Sequence, residues 1–143
     1  MMAKIDWIIH CCANGVVCEE CKKVETGFLQ YACNAHTHGM ERYHHMDFQM
    51  VLYLPFEEIG RILNTLGLRV QAGERFHDGD LVSGIYEDCD IRLDEYEETG
   101  RRVLRVVIPD KYNVFPEEKN CMPVYRLQML DTEDLYSESG WRS

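Results

Sequence analysis

The stretch between Cys33 and Phe48 concentrates the residues most able to do chemistry. It holds four of the six histidines of this 143-residue chain, at positions 36, 38, 44 and 45. His36 and His38 are two residues apart, so on a strand their rings would point to the same face and could share one metal ion. The spacing predicts either a metal site or a strand and turn that are rich in histidine.

The first metal hypothesis is a metal-dependent hydrolase. His36, His38 and His45 would be the ligands, and Asp47 or Glu41 would act as the base. An aspartate beside a histidine could also accept a hydrogen bond from the ring nitrogen that does not bind the metal, and so fix the orientation of that ring. The alternative is a structural role, because the adjacent histidines His44 and His45 would point in different directions on a turn and could simply stabilise it.

A second metal hypothesis uses cysteines. Cys18 and Cys21 form one close pair, and Cys33 and His36 form a second. Eleven residues separate the two pairs. Two such pairs are typical of a tetrahedral zinc site that stabilises an interaction module. Zinc is the cofactor that the sequence indicates, and the alternative is that these cysteines are buried and bind no metal.

Composition limits the partners and the compartment. Fifteen Lys and Arg against 25 Asp and Glu give a formal charge of -10, which disfavours binding to nucleic acid or to an anionic membrane. Seven cysteines form an odd set with no export signal, so the chain is expected in the reducing cytoplasm. A two-fold homodimer is the assembly that general frequency favours.

The elements that would position these residues are mostly strands. Pro55–Leu66 is the clearest helix, with Pro at its first position, acidic residues in its first turn and Gly67 as its stop. Phe28–Cys33 and Phe48–Leu54 have strand composition, and the second is apolar enough for a central strand. The N-terminal segment Ala3–Asn14 fits either a short helix or a strand with an Asn-Gly turn.

Two further predictions complete the fold. Asp90–Tyr96 and Arg101–Ile108 are predicted to form an antiparallel hairpin, and Val124–Leu130 the last strand. We therefore expect a single α+β domain over residues 1–143, with a mainly antiparallel sheet of about five to six strands packed by one main helix over residues 55–66. Residues 1–27 form a Cys-rich N-terminal segment of it and residues 131–143 a polar C-terminal tail.

Five fragments, in the order THGM, HMDF, ILNTLGLRVQAGERFHDGD, RVVIPDKYNVFPEE and RLQML, together resemble the bacterial family called domain of unknown function 4262. The resemblance spans about residues 28–130. It implies a small bacterial α+β domain and supplies no established reaction. This chain has Met46 where the family usually has Pro, Asp47 in place of Glu, and His36 where an aromatic residue is common. The positions that the resemblance implicates are Thr37, Gly39, His45, Asp47, Asn64, Gly73, Gly79, Pro109, Asp110, Pro116 and Gln128.

A domain that binds an unknown small molecule or a protein is the leading expectation, and whether the chain is an enzyme stays open. Family order places the candidate pocket residues near strand ends, where pockets form. These residues are His38, His45, Asp47, Asp110 and Gln128. The metal-dependent hydrolase and the zinc-stabilised module are the two alternatives.

Overall fold

The computed structural model describes residues 5–13, 17–18, 23–24 and 32–136, and within them the predicted α+β fold is confirmed. The strands are, in chain order, β1 (Ile8–Ala13), β2 (Val17–Cys18), β3 (Lys23–Val24), β4 (Ala32–His38), β5 (Asp47–Leu52), β6 (Leu81–Val82), β7 (Ile91–Glu98) and β8 (Arg101–Val107). The helices are α1 (Phe56–Gln71), α2 (Thr132–Tyr136) and two 3-10 helices at Met40–Tyr43 and Pro123–Met129. None of the described helices combines the length and the apolar character needed to cross a bilayer.

Six of the strands form one sheet in the order β1-β4-β5-β8-β7-β6, and β2 pairs with β3. All neighbours in the large sheet are antiparallel except β5 and β8, which run parallel. All six residues of β5 are buried, as its predicted central position requires. The predicted hairpin of β7 and β8 is confirmed, and it turns at Thr99 and Gly100, which both have positive φ.

Helix α1 has the predicted start but a later end. It begins directly after Pro55 and buries an apolar stripe against the sheet. The predicted stop at Gly67 is wrong, because the helix continues to Gln71. The glycine instead makes room for a tryptophan, since a Cβ at position 67 would lie 2.5 Å from Cζ2 of Trp7.

The large sheet has an apolar face and a polar face. Side chains alternate along each strand, so Cys33 and Ala35 join the apolar core that includes α1, while Asn34 and His36 lie on the opposite side. On that opposite side, buried residues of neighbouring strands are linked by hydrogen bonds and ring contacts. We call this side of the sheet the polar face. Its buried or half-buried members are Asn34, His36, Gln49, Tyr96, Glu98 and Arg105.

Arg105 attaches the C-terminal segment to the polar face. Its fully buried guanidinium lies 3.6 Å over the ring of Tyr96, and its Nε donates to Oε1 of Gln49 at 2.8 Å. Its Nη1 donates to the carbonyl oxygens of Gln128 and Leu130. These contacts hold the second 3-10 helix and the start of α2 against the sheet.

The prediction of a strand over Val124–Leu130 is wrong, because this segment contains the 3-10 helix Pro123–Met129. The side-chain amide of Gln128 donates to the carbonyl of Ile108 and accepts from its N–H, both at 2.8 Å. A side chain therefore makes the contacts that an additional strand would have made with its backbone, and tertiary packing overrides the local alternation.

At the N-terminus the strand alternative is confirmed and the helix is wrong, because Ile8–Ala13 pairs with β4. The predicted strand Phe28–Cys33 falls largely outside the described residues. The strand described there runs over Ala32–His38. It therefore carries both histidines of the His-x-His motif.

Candidate metal centre of three histidines

Three histidines converge on the polar face from two neighbouring strands. His36 and His38 share one face of β4, as their spacing predicts. His10 lies on the edge strand β1, directly opposite His36 in the antiparallel register. The pairing of β1 with β4 therefore adds a third imidazole to the motif.

The rings are close enough to share one ion. One ring nitrogen from each histidine lies within 4.8 Å of the other two. The ring centroids are 4.3 Å apart for His10 and His38, 4.9 Å for His36 and His38, and 5.5 Å for His10 and His36. Zinc–nitrogen bonds of about 2.0–2.1 Å hold tetrahedral ligands about 3.3 Å apart. The ring nitrogens would therefore have to move closer together to bind one zinc ion.

Three ring nitrogens of this cluster are buried without a hydrogen-bond partner among the described residues. They are Nδ1 and Nε2 of His10 and Nε2 of His38. A buried polar atom without a partner costs about 1–3 kcal/mol, so such atoms are rare in folded proteins. These three atoms lie together at one point, where a bound ion could give them a partner.

His36 is oriented by Asn34. Nδ2 of Asn34 donates to Oε2 of Glu98 at 3.3 Å, since a carboxylate only accepts. The amide oxygen of Asn34 therefore faces His36, whose Nδ1–H donates to it at 3.1 Å, and Gln49 donates to the same oxygen at 3.0 Å. This arrangement places the ring proton of neutral His36 on Nδ1, and metal-binding histidines commonly donate one ring N–H in this way.

Burial keeps the two histidines of β4 neutral. It lowers the pKa of His36 to about 4, although the carboxylate of Glu98, 3.9 Å from Nδ1, acts in the opposite direction. Burial also lowers the pKa of His38, and the charge of Arg101 adds to this effect. Both rings are therefore unprotonated near neutral pH, which is the form that binds a metal.

The carboxylate of Glu98 is ionised. Burial opposes its ionisation, but the attraction of His36 when that ring is protonated and the hydrogen bonds from Thr99 and Arg101 outweigh burial and lower the pKa of Glu98 to about 2. Arg101 donates to Glu98 at 2.9 Å and to Asp47 at 2.8 Å. Two buried carboxylates thus share one guanidinium beside the histidines.

The structure does not bring His45 to this cluster. Its Nε2 accepts from the backbone N–H of Phe76 at 3.0 Å, and its Nδ1–H donates to the carbonyl of Met46 at 2.7 Å. Its ring packs between Phe48 and Phe76 on the apolar side. His45 ties the loop after α1 to the start of β5, and the third histidine beside His36 and His38 is His10.

The predicted base and pocket residues are engaged in structural hydrogen bonds. Asp47 accepts from the hydroxyl of Thr37 at 2.7 Å, from the N–H of Met40 at 3.0 Å and from Arg101. Glu41 is exposed in the first 3-10 helix. Asp47 is thus already engaged, and neither Asp47 nor Glu41 belongs to the group that the three histidines form.

Asp110 stabilises a turn, and the side-chain amide of Gln128 pairs with the backbone of Ile108. Asp110 accepts from three backbone N–H groups, those of Tyr112, Val114 and Met122. It borders a cavity of about 230 Å³ whose walls include Ile108 and Tyr125. The five predicted pocket residues therefore do not line one common pocket.

The cysteine site is not assembled by the described residues. Cys33 lies on the apolar side of β4, with its thiol 3.7 Å from the carbonyl of Met50, whereas His36 lies on the polar face. Cys18 belongs to β2, and Cys21 lies outside the described residues. The predicted pair of Cys33 and His36 thus points to opposite sides of the sheet.

The sequence reasoning missed His10. The local signal is the strand-like composition of Ile8–Ala13, in which His10 shares one side of the strand with Ile8. The register that sets it opposite His36 arises from pairing over 26 residues, and no local pattern encodes that register. Comparisons with models of protein families, with curated proteins and with solved structures found no match.

Proposed function

We propose that this domain binds one divalent transition-metal ion, with zinc as the best-fitting ion, through His10, His36 and His38. The observation that carries the proposal is the convergence of buried, unpartnered nitrogens of His10 and His38 with the oriented ring of His36. A metal ion would give these nitrogens the partner that they lack.

The chemistry of the donors selects the class of metal. Imidazole nitrogens suit zinc, copper and nickel, whereas magnesium and calcium prefer oxygen ligands. Zinc also tolerates the geometry that the strands impose, since its filled d shell favours no particular arrangement. Three imidazole ligands therefore favour a zinc-type ion over an alkaline-earth ion.

The surrounding charges also favour a cation. The carboxylates of Glu98 and Asp47 are both nearly inaccessible to solvent, and among the described residues Arg101 is the cation bonded to both. With both carboxylates ionised, this group of three side chains carries a net negative charge. A divalent ion would reverse that sign and reduce the cost of burying both carboxylates.

The proposal is narrower than a hydrolase, because Asp47 and Glu41 do not offer a base to the three histidines. It retains a metal-binding role and a cytoplasmic location. The odd number of cysteines, seven in the whole sequence, favours such a reducing compartment.

The test is the metal content of the untagged protein after exposure to zinc and removal of the unbound ion. We expect about one zinc per chain in the wild type, as a single histidine site requires, and loss of that zinc in His10→Ala and in His38→Ala. His77→Ala is the matched control, since the His77 side chain is 76% exposed and lies outside the cluster. Absence of zinc from the wild type, or equal zinc in the wild type and His38→Ala, would refute the proposal.

A further inference from the structure

The cluster contains three ligands where zinc usually takes four. Among the described residues, no fourth histidine, cysteine, aspartate or glutamate belongs to the group formed by His10, His36 and His38. Structural zinc sites are closed by four protein ligands, whereas sites with three protein ligands keep a position for water or another external group.

Two carboxylates beside the histidines are engaged in other hydrogen bonds. Glu98 accepts from Asn34 and Thr99 at Oε2 and from Arg101 at Oε1. Asp47 is similarly occupied at both oxygens. Either carboxylate would have to give up several charge-assisted hydrogen bonds to reach a metal.

From this arrangement we infer that a metal held by His10, His36 and His38 keeps an exchangeable fourth position that accepts a small monovalent anion. The inference rests on the metal site proposed above. Neutral imidazoles leave the ion its full double charge. With the ion in place, the two carboxylates and Arg101 leave one positive charge, which a monovalent anion would offset.

The site lies near one edge of the large sheet. His10 is on the edge strand β1, and the rings of His10 and His38 are partly exposed although the three nitrogens named above are buried. Arg101 is 28% exposed and donates to the carbonyl of Thr37, the residue between His36 and His38. The exposed parts of the two rings mark the side from which an anion would approach.

The test uses the full chain loaded with cobalt(II), whose visible absorption reports the ligands directly. Azide is the probe, added at constant ionic strength with sulfate, a divalent anion, as the balancing salt. We expect a saturable shift of the cobalt bands that fits one azide per metal, with no thiolate-to-cobalt charge-transfer band in the near ultraviolet.

Two results would overturn the inference while leaving the metal site intact. One is stoichiometric cobalt whose spectrum does not respond to azide. The other is a thiolate charge-transfer band, which would show that a cysteine of the chain fills the fourth position. Failure to bind cobalt in the wild type would instead refute the proposed metal site itself.

Discussion

His10 and His36 occupy directly opposite positions in the antiparallel pair β1 and β4, with their ring centroids 5.5 Å apart. The pair connects the edge strand to the strand that carries the His-x-His motif. A metal bound there would cross-link β1 to the rest of the sheet, so metal binding and stability are expected to be coupled.

Zinc should therefore stabilise the folded protein. At a free zinc concentration 100-fold above the dissociation constant, the free energy of unfolding should rise by about 2.7 kcal/mol, less any binding to the unfolded chain. The measurement is urea unfolding in a zinc buffer and in chelator. His10→Ala should show no zinc-dependent increase, and an equal increase in the variant would contradict the role of His10.

Asn34 should control metal affinity without supplying a ligand. Asn34→Ala removes the acceptor for Nδ1–H of His36 and the link to Glu98, so the ring loses its fixed orientation. Loss of such an orienting partner typically weakens metal binding about 10–100-fold. Competition with a chromogenic chelator measures the change, and circular dichroism of the metal-free variant checks its fold.

Glu98→Gln is the companion variant to Asn34→Ala. It preserves the shape of the side chain and removes its charge, so it separates the electrostatic contribution of Glu98 from ring orientation. We expect an intermediate loss of affinity. Wild-type affinity in Asn34→Ala would contradict the orienting role while leaving the three ligands in place.

Two glycines of α1 should respond oppositely to alanine. Gly67→Ala places a Cβ 2.5 Å from Cζ2 of Trp7, whose indole is held by a hydrogen bond to Asn64 at 2.9 Å. The gain in helix propensity is about 1 kcal/mol and overpacking costs about 1–3 kcal/mol, so a net loss of stability is expected.

Gly60→Ala is the matched control in the same helix. No atom outside the neighbouring backbone lies within 4 Å of a Cβ built at Gly60. We expect this variant to be more stable than the wild type by about 0.5–1 kcal/mol in urea unfolding. Stabilisation by both alanines would show that Trp7 does not pack on Gly67.

His45 should make stability depend on pH. Burial lowers its pKa, although its hydrogen bond to Met46 acts in the opposite direction, so the folded state favours the neutral ring. As pH falls below about 6.5, the unfolded chain takes up the proton first and stability declines, levelling off below the folded pKa. Above about pH 6.5, the pKa of the unfolded chain, the contribution of His45 to stability is fully present.

The check is urea unfolding between pH 5 and about 8 in chelator, since zinc would add its own pH dependence. Other buried histidines contribute in the same direction, so the comparison is with His45→Gln. The variant should lose less stability on acidification than the wild type. Parallel pH profiles would show that His45 does not carry this effect.

The sequence predicted those features that depend on local pattern. Amphipathic spacing placed α1, alternation placed the hairpin of β7 and β8, and the interval between His36 and His38 placed both rings on one face. Features set by distant contacts were missed. Gly67 does not end α1 because Trp7 packs on it, and Pro123–Met129 is not a strand because Gln128 bonds to Ile108 through its side chain.

The candidate site illustrates the same limit. His45 is close in sequence to His38, but its hydrogen bond with Phe76 holds it on the apolar side. His10 is far in sequence, and the register of β1 brings it to His36. The resemblance to domain of unknown function 4262 stays a prediction.

The most direct measurement is X-ray absorption at the zinc edge of the loaded, untagged protein. Binding through His10, His36 and His38 predicts a first shell of nitrogen or oxygen at about 2.0–2.1 Å, outer-shell scattering from three imidazoles and no sulfur. A sulfur shell at about 2.3 Å would contradict this account and favour a cysteine site such as that of Cys18 and Cys21.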